Sequence, residues 1–406
     1  MKSTVKSEAF VALVKAMAEF VADSGNEPVL GSARLVARDN MLVGTATNRA
    51  VSAQFRIGAR VEQPGEVLLG PAKLKDVGYA ESVIGLEAAP PKLTIRDGGF
   101  KLQVPVRAAE GLFPEVPWFD GEGAEVDAKA LKKKLGPVLS VVSTRPEAMD
   151  LTGVVRVAFV RTDNVQMVLF SGTDKNTVVT TLLRCSVPAS IIGAAQVRDV
   201  IVPAASLDSV LRHLPSEGKV LLGVQGQRGA LQVSDNVSRT FTITPSEVRF
   251  PDLRGFEAAQ KFATKGTVAT GDWIARMKKI KGALKEDKKA EVAHNLTFVP
   301  GTAAPVTPGQ LKWALRDHSG EVSGEDEFPV AYDGPTPLRL CVGHKYLSSI
   351  LASLDELGVA NVDFHLGEPD ASAGPGGAVT TKPVKIVPAG DPEIQFLVAL
   401  VKPDAV

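Results

Sequence analysis

One order of elements is written three times along the 406 residues of this chain, and it narrows the fold more than any other feature. Each round opens on an amphipathic helix, passes through three strands, reaches a strand that feeds a second helix, and closes on further strands. In the first round Phe10, Leu13, Val14, Met17, Phe20 and Val21 recur at helical spacing from Lys6 to Asp23. Strands are predicted near 29–37, 41–47, 51–57 and 66–69. Pro71 then opens a helix predicted to about Ala80, and strands at 92–96 and 100–105 follow. Asp39-Asn40 and Asp97-Gly98-Gly99 read as tight hairpin turns.

In the second round Leu131, Leu135, Val138, Leu139 and Val142 form the stripe of a helix over 127–144, with Pro137 inside it. Pro203 opens its partner helix, which carries Leu207, Val210, Leu211 and Leu214. In the third round Trp273, Met277, Ile280 and Leu284 mark the first helix, and Leu347, Ile350, Leu351 and Leu354 mark the second, after Gly343. The last strand is predicted over 393–400. Phe113-Pro114 and Phe250-Pro251 close the first two rounds. The fold class is therefore α+β, with three tandem copies of one domain at 1–120, 121–256 and 257–406.

Composition sets limits around this. Aromatic residues make up only 5% of the chain, so Val, Leu, Ile and Ala must fill the cores. Lys+Arg and Asp+Glu both number 46, so any attraction to a polyanion must come from local clusters. Cys185 and Cys341 sit in apolar, strand-like contexts without a CxxC. They read as buried free thiols in a reducing compartment, with a single disulfide as the alternative. Met1-Lys2-Ser3-Thr4 leads into no apolar signal region, and no run approaches the ~20 residues of a membrane span, so a cytoplasmic protein is expected.

Several short segments, in order, resemble the bacterial DNA polymerase III beta subunit family, the sliding clamps. They are Leu112-Phe113-Pro114-Glu115-Val116-Pro117, Leu151-Thr152-Gly153-Val154, Thr173-Asp174, Val200-Ile201-Val202-Pro203 and Phe250-Pro251-Asp252. The resemblance implies a helix-lined, sheet-backed ring closed by a head-to-tail homodimer around double-stranded DNA. It also implies a peptide pocket that docks DNA polymerase and the clamp loader. Carried over by motif position, its walls are Leu151, Thr173, Asp174, Val178, Pro251 and the C-terminal strand residues Ala399, Leu400 and Val401. The family's Gly-His-Arg after Thr-Asp is Lys175-Asn176-Thr177 here, Gly255 and Phe256 follow Phe-Pro-Asp, and Ala399-Leu400 stands for the usual Met-Pro. These departures imply a diverged peptide motif.

A ring that slides needs mobile, sequence-independent phosphate contacts, which lysine and arginine on helices supply. The basic helical residues are Lys73 and Lys75; Lys129, Lys132, Lys133 and Lys134; Arg212; Arg276, Lys278, Lys279, Lys281 and Lys285; and Lys345. Taken singly, each is an ordinary solvated helix position. Their recurrence on five of the six helices favours a shared basic surface.

No GxxxxGK[ST] occurs, and the glycines from Gly223 to Gly229 read as a hairpin. The five histidines are far apart in sequence and show no HExxH, so neither a metal nor a cofactor is expected. No catalytic set can be assembled from spacing. A multi-domain enzyme with an interdomain site and a protein-interaction scaffold that never touches DNA are the competing classes.

Overall fold

The computed structural model describes the chain apart from residues 23–26, 28, 110–112, 117, 119–121, 146, 163, 194, 227–228, 254, 256–259, 284–291, 304–305, 317–322, 371–377 and 402–406. Leu112, Pro117, Phe256, Leu284 and Lys285, which the sequence singled out, lie outside the described residues.

Five helices longer than one turn are described: α1 (Ser7–Glu19), α2 (Ala128–Val141), α3 (Ala204–His213), α4 (Thr270–Ala283) and α5 (His344–Glu356). Their buried faces are the apolar stripes read from the sequence. Phe10, Leu13, Val14 and Met17 are buried on α1, Leu131, Leu135 and Val138 on α2, and Leu347, Ile350, Leu351 and Leu354 on α5. Among the described residues no helix is long and apolar enough to cross a membrane.

The helix expected from Pro71 to Ala80 is only a 3-10 turn, Pro71–Lys73. A segment this short cannot repay helix nucleation by itself, and it buries only Pro71 and Leu74. Its continuation is held instead by the buried Asp97 carboxylate, which accepts from the backbone N–H groups of Ala80 (2.7 Å) and Glu81 (2.8 Å). Lys73 and Lys75 therefore stand on or beside a turn rather than on a full helix.

Strands that the pattern did not predict complete the repeat. Lys2–Lys6, Ala124–Asp127 and Phe262–Ala269 each run directly into the first helix of their round, and Val83–Ala89 follows the Pro71 turn. With them, each round becomes two copies of strand, helix, three strands, and the motif occurs six times along the chain, with the Pro71 3-10 turn in the helix position of the second copy. The polar Lys2–Lys6 is a strand because its backbone pairs on both sides, with 59–63 and with Val83–Ala89.

By compactness the chain forms two units: Met1–Leu131 with Ala158–Val168 and Arg184–Glu247, and Lys132–Val157 with Leu169–Leu183 and Val248–Val406. Each contains a β-ladder joining successive rounds. In the first unit the strands of the first round close on themselves, since Lys2–Lys6 also pairs with Val51–Gln63. Val51–Gln63 then pairs antiparallel with second-round strand Arg239–Ile243, Val51 opposite Ile243. In the second unit second-round strand Thr177–Arg184 pairs antiparallel with third-round strand Ile394–Val398, Val178 opposite Leu397. The junctions between rounds are thus made of backbone hydrogen bonds.

Glycine allows close helix–sheet approach in both units. A Cβ at Gly44 would lie 2.4 Å from Met17 Sδ of α1, and one at Gly172 would lie 2.5 Å from Val142 Cγ1, just past α2.

Candidate functional site

The segment Thr173 to Val178 is a tight turn between antiparallel strands. Asp174 organises it: its Oδ1 accepts from the N–H groups of Asn176 (3.1 Å) and Thr177 (2.7 Å). Buried Thr173 accepts through Oγ1 from the Lys175 N–H at 3.0 Å. This geometry leaves Lys175 at φ 81°, in the left-handed region that glycine occupies without penalty. For an L side chain that conformation costs about 1–2 kcal/mol.

A second segment meets the turn. Asp150 caps a 3-10 turn, Leu151–Gly153, by accepting from Thr152 N–H at 3.0 Å and from the Thr152 hydroxyl. Lys175 Nζ lies 3.0 Å from Asp150 Oδ2. The Thr152 bonds first, and Lys175 second, hold the Asp150 carboxyl down to about 2. Both charged side chains are mostly exposed, 63% and 54%, so solvent screening leaves the pair weak. Leu151 is half-buried and stands on this turn, not on the strand, which begins at Val154. The reason lies in Gly153, where a Cβ would be 1.9 Å from the Ala148 carbonyl oxygen, so the chain bends too closely here to be extended.

The C-terminal segment is the third participant. The last strand ends at Val398, short of the expected 400, so Ala399, Leu400 and Val401 are not strand residues. Ala399 N–H still donates to the carbonyl of Asn176 (2.7 Å), the residue opposite it in the ladder register, but Asn176 already belongs to the turn. Val401 N–H then donates to the Cys341 carbonyl (2.9 Å), on a third-round strand. Asn176 Nδ2 in turn donates to Tyr346 Oη at 2.6 Å. A Cβ at Gly343 would meet the Tyr346 ring at 3.0 Å and Val401 Cγ2 at 3.8 Å.

Three distant stretches, 150–153, 173–178 and 399–401, are thus gathered with the start of α5. Leu151, Val178, Leu400 and Val401 are half-buried there, Ala399 is exposed, and all lie within the second unit. Tyr346 is a member that the sequence reading missed. Its only signal was position, as an aromatic residue at the start of a second helix. Pro251 is exposed, and no described bond ties it to the others.

Most of the basic residues sort into three groups. Lys134 is not available to a phosphate. It is 7% exposed, and its Nζ lies 3.0 Å from both Asp391 Oδ1 and Glu393 Oε2. The stripe of α2 turns it inward, and the loop before the last strand supplies two carboxylates. A second group is already engaged. Arg212 pairs with Asp208 at 2.8 Å and Lys278 with Asp355 at 3.3 Å. Arg276 pairs with Asp326 and lies 4.7 Å over the Phe328 ring, and Lys345 lies 5.9 Å over Tyr346. Lys132 is half-buried and Lys281 lies on α4. The third group, Lys73, Lys75, Lys129, Lys133 and Lys279, is exposed.

Cys185 and Cys341 are free thiols, and burial pushes Cys185 up to about 11. His294 and His344, far apart in sequence, come together with Nε2 and Nδ1 at 2.9 Å. Among the described residues no group of three or more His, Cys, Asp or Glu is placed to hold a metal ion.

No family model matches the sequence. Solved structures do match the fold. The DNA polymerase III subunit beta from Pseudomonas aeruginosa superposes with a TM-score of 0.79 at 18% identity, over 99% of this chain and 100% of that one. The Caulobacter crescentus pol III beta gives 0.79 at 18%, also over 99% and 100%. The DNA polymerase sliding clamp from Bacillus subtilis gives 0.80 at 16%, over 99% of each chain. A Pseudomonas aeruginosa sliding clamp bound to griselimycin gives 0.78 at 18%, over 99% of each chain. Over its whole length, then, the chain has the fold of the bacterial DNA polymerase III beta subunits, the sliding clamps.

Proposed function

We propose that this protein is a DNA sliding clamp, a non-enzymatic processivity factor with three domains at 1–120, 121–256 and 257–406. Two copies close head to tail into a ring around double-stranded DNA. DNA polymerase and the clamp loader dock a short peptide at the site built from Leu151, Val178, Leu400, Val401 and Tyr346. The observation that carries this reading is the match of the clamp fold over the whole chain at 16–19% identity. At that distance, likeness resides in the architecture, and a ring acts through its architecture.

Two measurements test it. The mass in solution is expected to be twice the 42.8 kDa of one chain. Once loaded, the protein is expected to stay on circular DNA and to run off when that DNA is linearised. Retention on linear DNA equal to that on circles would mean ordinary binding and would end the clamp reading.

The exposed lysines are the proposed phosphate contacts, and Lys134 is not among them. Charge reversal at Lys133 and Lys279 together is expected to weaken DNA binding at low salt. It should also reduce the slope of log affinity against log salt by about one to two. An unchanged slope would remove these residues from the DNA surface.

A further inference from the structure

We infer that Lys175 is a specificity-determining receptor for a carboxylate, so that the partner peptide carries an acidic group beside its apolar anchors; this rests on reading the site as a peptide pocket. Lys175 is held at φ 81°, and its side chain's return among the described residues is an exposed ion pair with Asp150. The conformational strain outweighs what such a pair contributes, so stability alone favours glycine here. Strain that a fold retains at a binding surface points to a role in binding.

The surroundings leave Lys175 as the group that can change partners. Asp150 is satisfied without it, by the N–H and hydroxyl of Thr152. The Asp174 carboxylate is turned onto the backbone of its own turn. An incoming carboxylate can therefore take the place of Asp150 at Lys175 Nζ without stranding either acid. The exchange happens beside the apolar part of the site. Asn176, the next residue, holds both Ala399 and Tyr346, and Val178, Leu400 and Val401 are half-buried around them. The carboxylate can belong to an Asp or Glu side chain or to the C-terminus of the peptide.

The test is a set of fluorescence-anisotropy titrations on the full chain at low salt. The probes are short labelled peptides with leucine and phenylalanine anchors. One pair differs by Asp against Asn next to the anchors, with the C-terminus amidated. A second pair differs only by a free or amidated C-terminus. On the wild-type protein the carboxylate member of at least one pair is expected to bind about three- to tenfold tighter. Whichever pair shows the gap identifies the source. The gap is expected to close in Lys175→Met and in Lys175→Gly, the latter relieving the backbone and so keeping the turn. It is expected to widen in Asp150→Asn, which removes the internal competitor. Equal affinities within both pairs on wild type, or a gap that survives Lys175→Gly, would overturn the inference. If no peptide binds at all, neutral ones included, the pocket reading itself fails and this inference with it.

Discussion

Gly153→Ala is expected to destabilise the protein by about 2–3 kcal/mol and to abolish the proposed peptide binding at the site. A Cβ at this position would lie 1.9 Å from the Ala148 carbonyl oxygen and 2.7 Å from its carbon. These are backbone atoms, so no rotamer change can make room. The backbone on both sides is also tied: Gly153 N–H donates to the Asp150 carbonyl (3.0 Å) and Ser143 N–H to the Thr152 carbonyl (2.7 Å). Relief requires opening the turn that carries Leu151 and presents Asp150 to Lys175. Urea or thermal unfolding reads the stability, and anisotropy reads the site. Gly271→Ala on α4 is the control, since a Cβ there meets nothing within 4 Å. It is expected to change stability by no more than about 1 kcal/mol. If Gly153→Ala behaves like that control, the close approach is not a constraint on this fold.

Acid is expected to destabilise the protein well before most carboxylates titrate, through a fully buried histidine. Burial, and then the neighbouring His344, depress His294 to about 3. Its hydrogen bonds explain why the neutral ring is specified. Trp313 Nε1–H donates to His294 Nδ1 at 2.7 Å, so that nitrogen must accept. The proton then sits on Nε2 and donates to His344 Nδ1 at 2.9 Å. A second proton on Nδ1 would face the indole N–H. The unfolded chain, in contrast, protonates this histidine near pH 6.5. Between about pH 6.5 and 3 the unfolded state therefore binds more protons, and stability falls as pH falls, by up to about 1.4 kcal/mol per unit. His344, also depressed by burial, acts in the same direction. Asp150 makes no difference in the upper part of this window, because its stabilisation is complete above the unfolded Asp value and is lost only as pH falls towards about 2. Urea midpoints at pH 7.5 and 5.0 measure the effect, and His294→Gln, which can accept from Trp313 and donate to His344, is expected to flatten it. A wild-type midpoint that does not move over that range would refute the assignment.

Local patterns in the chain were legible because their causes are local. The apolar spacing of Phe10, Leu13, Val14 and Met17 specifies a buried helix face wherever α1 packs. Asp39 and Asn40 both adopt positive φ, 50° and 55°, as a two-residue hairpin between twisted strands requires, and Gly98 does so at 56°. These residues announce their turns without help from the rest of the protein. Most of the order of helices and strands could therefore be read directly.

Tertiary structure decided what depends on a distant partner. Lys2–Lys6 carries too little apolar alternation to be recognised as a strand, and it is one because two other strands pair with it. Lys133 and Lys134 are equivalent in the sequence, yet one is exposed and the other buried, because Asp391 and Glu393 arrive at one helix face only. Tyr346 joined the site through a hydrogen bond to a residue in the preceding round. The sequence by itself determined the helix stripes, most of the strands and the tight turns between them, since backbone propensity and apolar period act within a few residues. Which lysines are free, which strand edges pair and which side chains surround the turn at Lys175 were settled only by chain segments that meet across long separations.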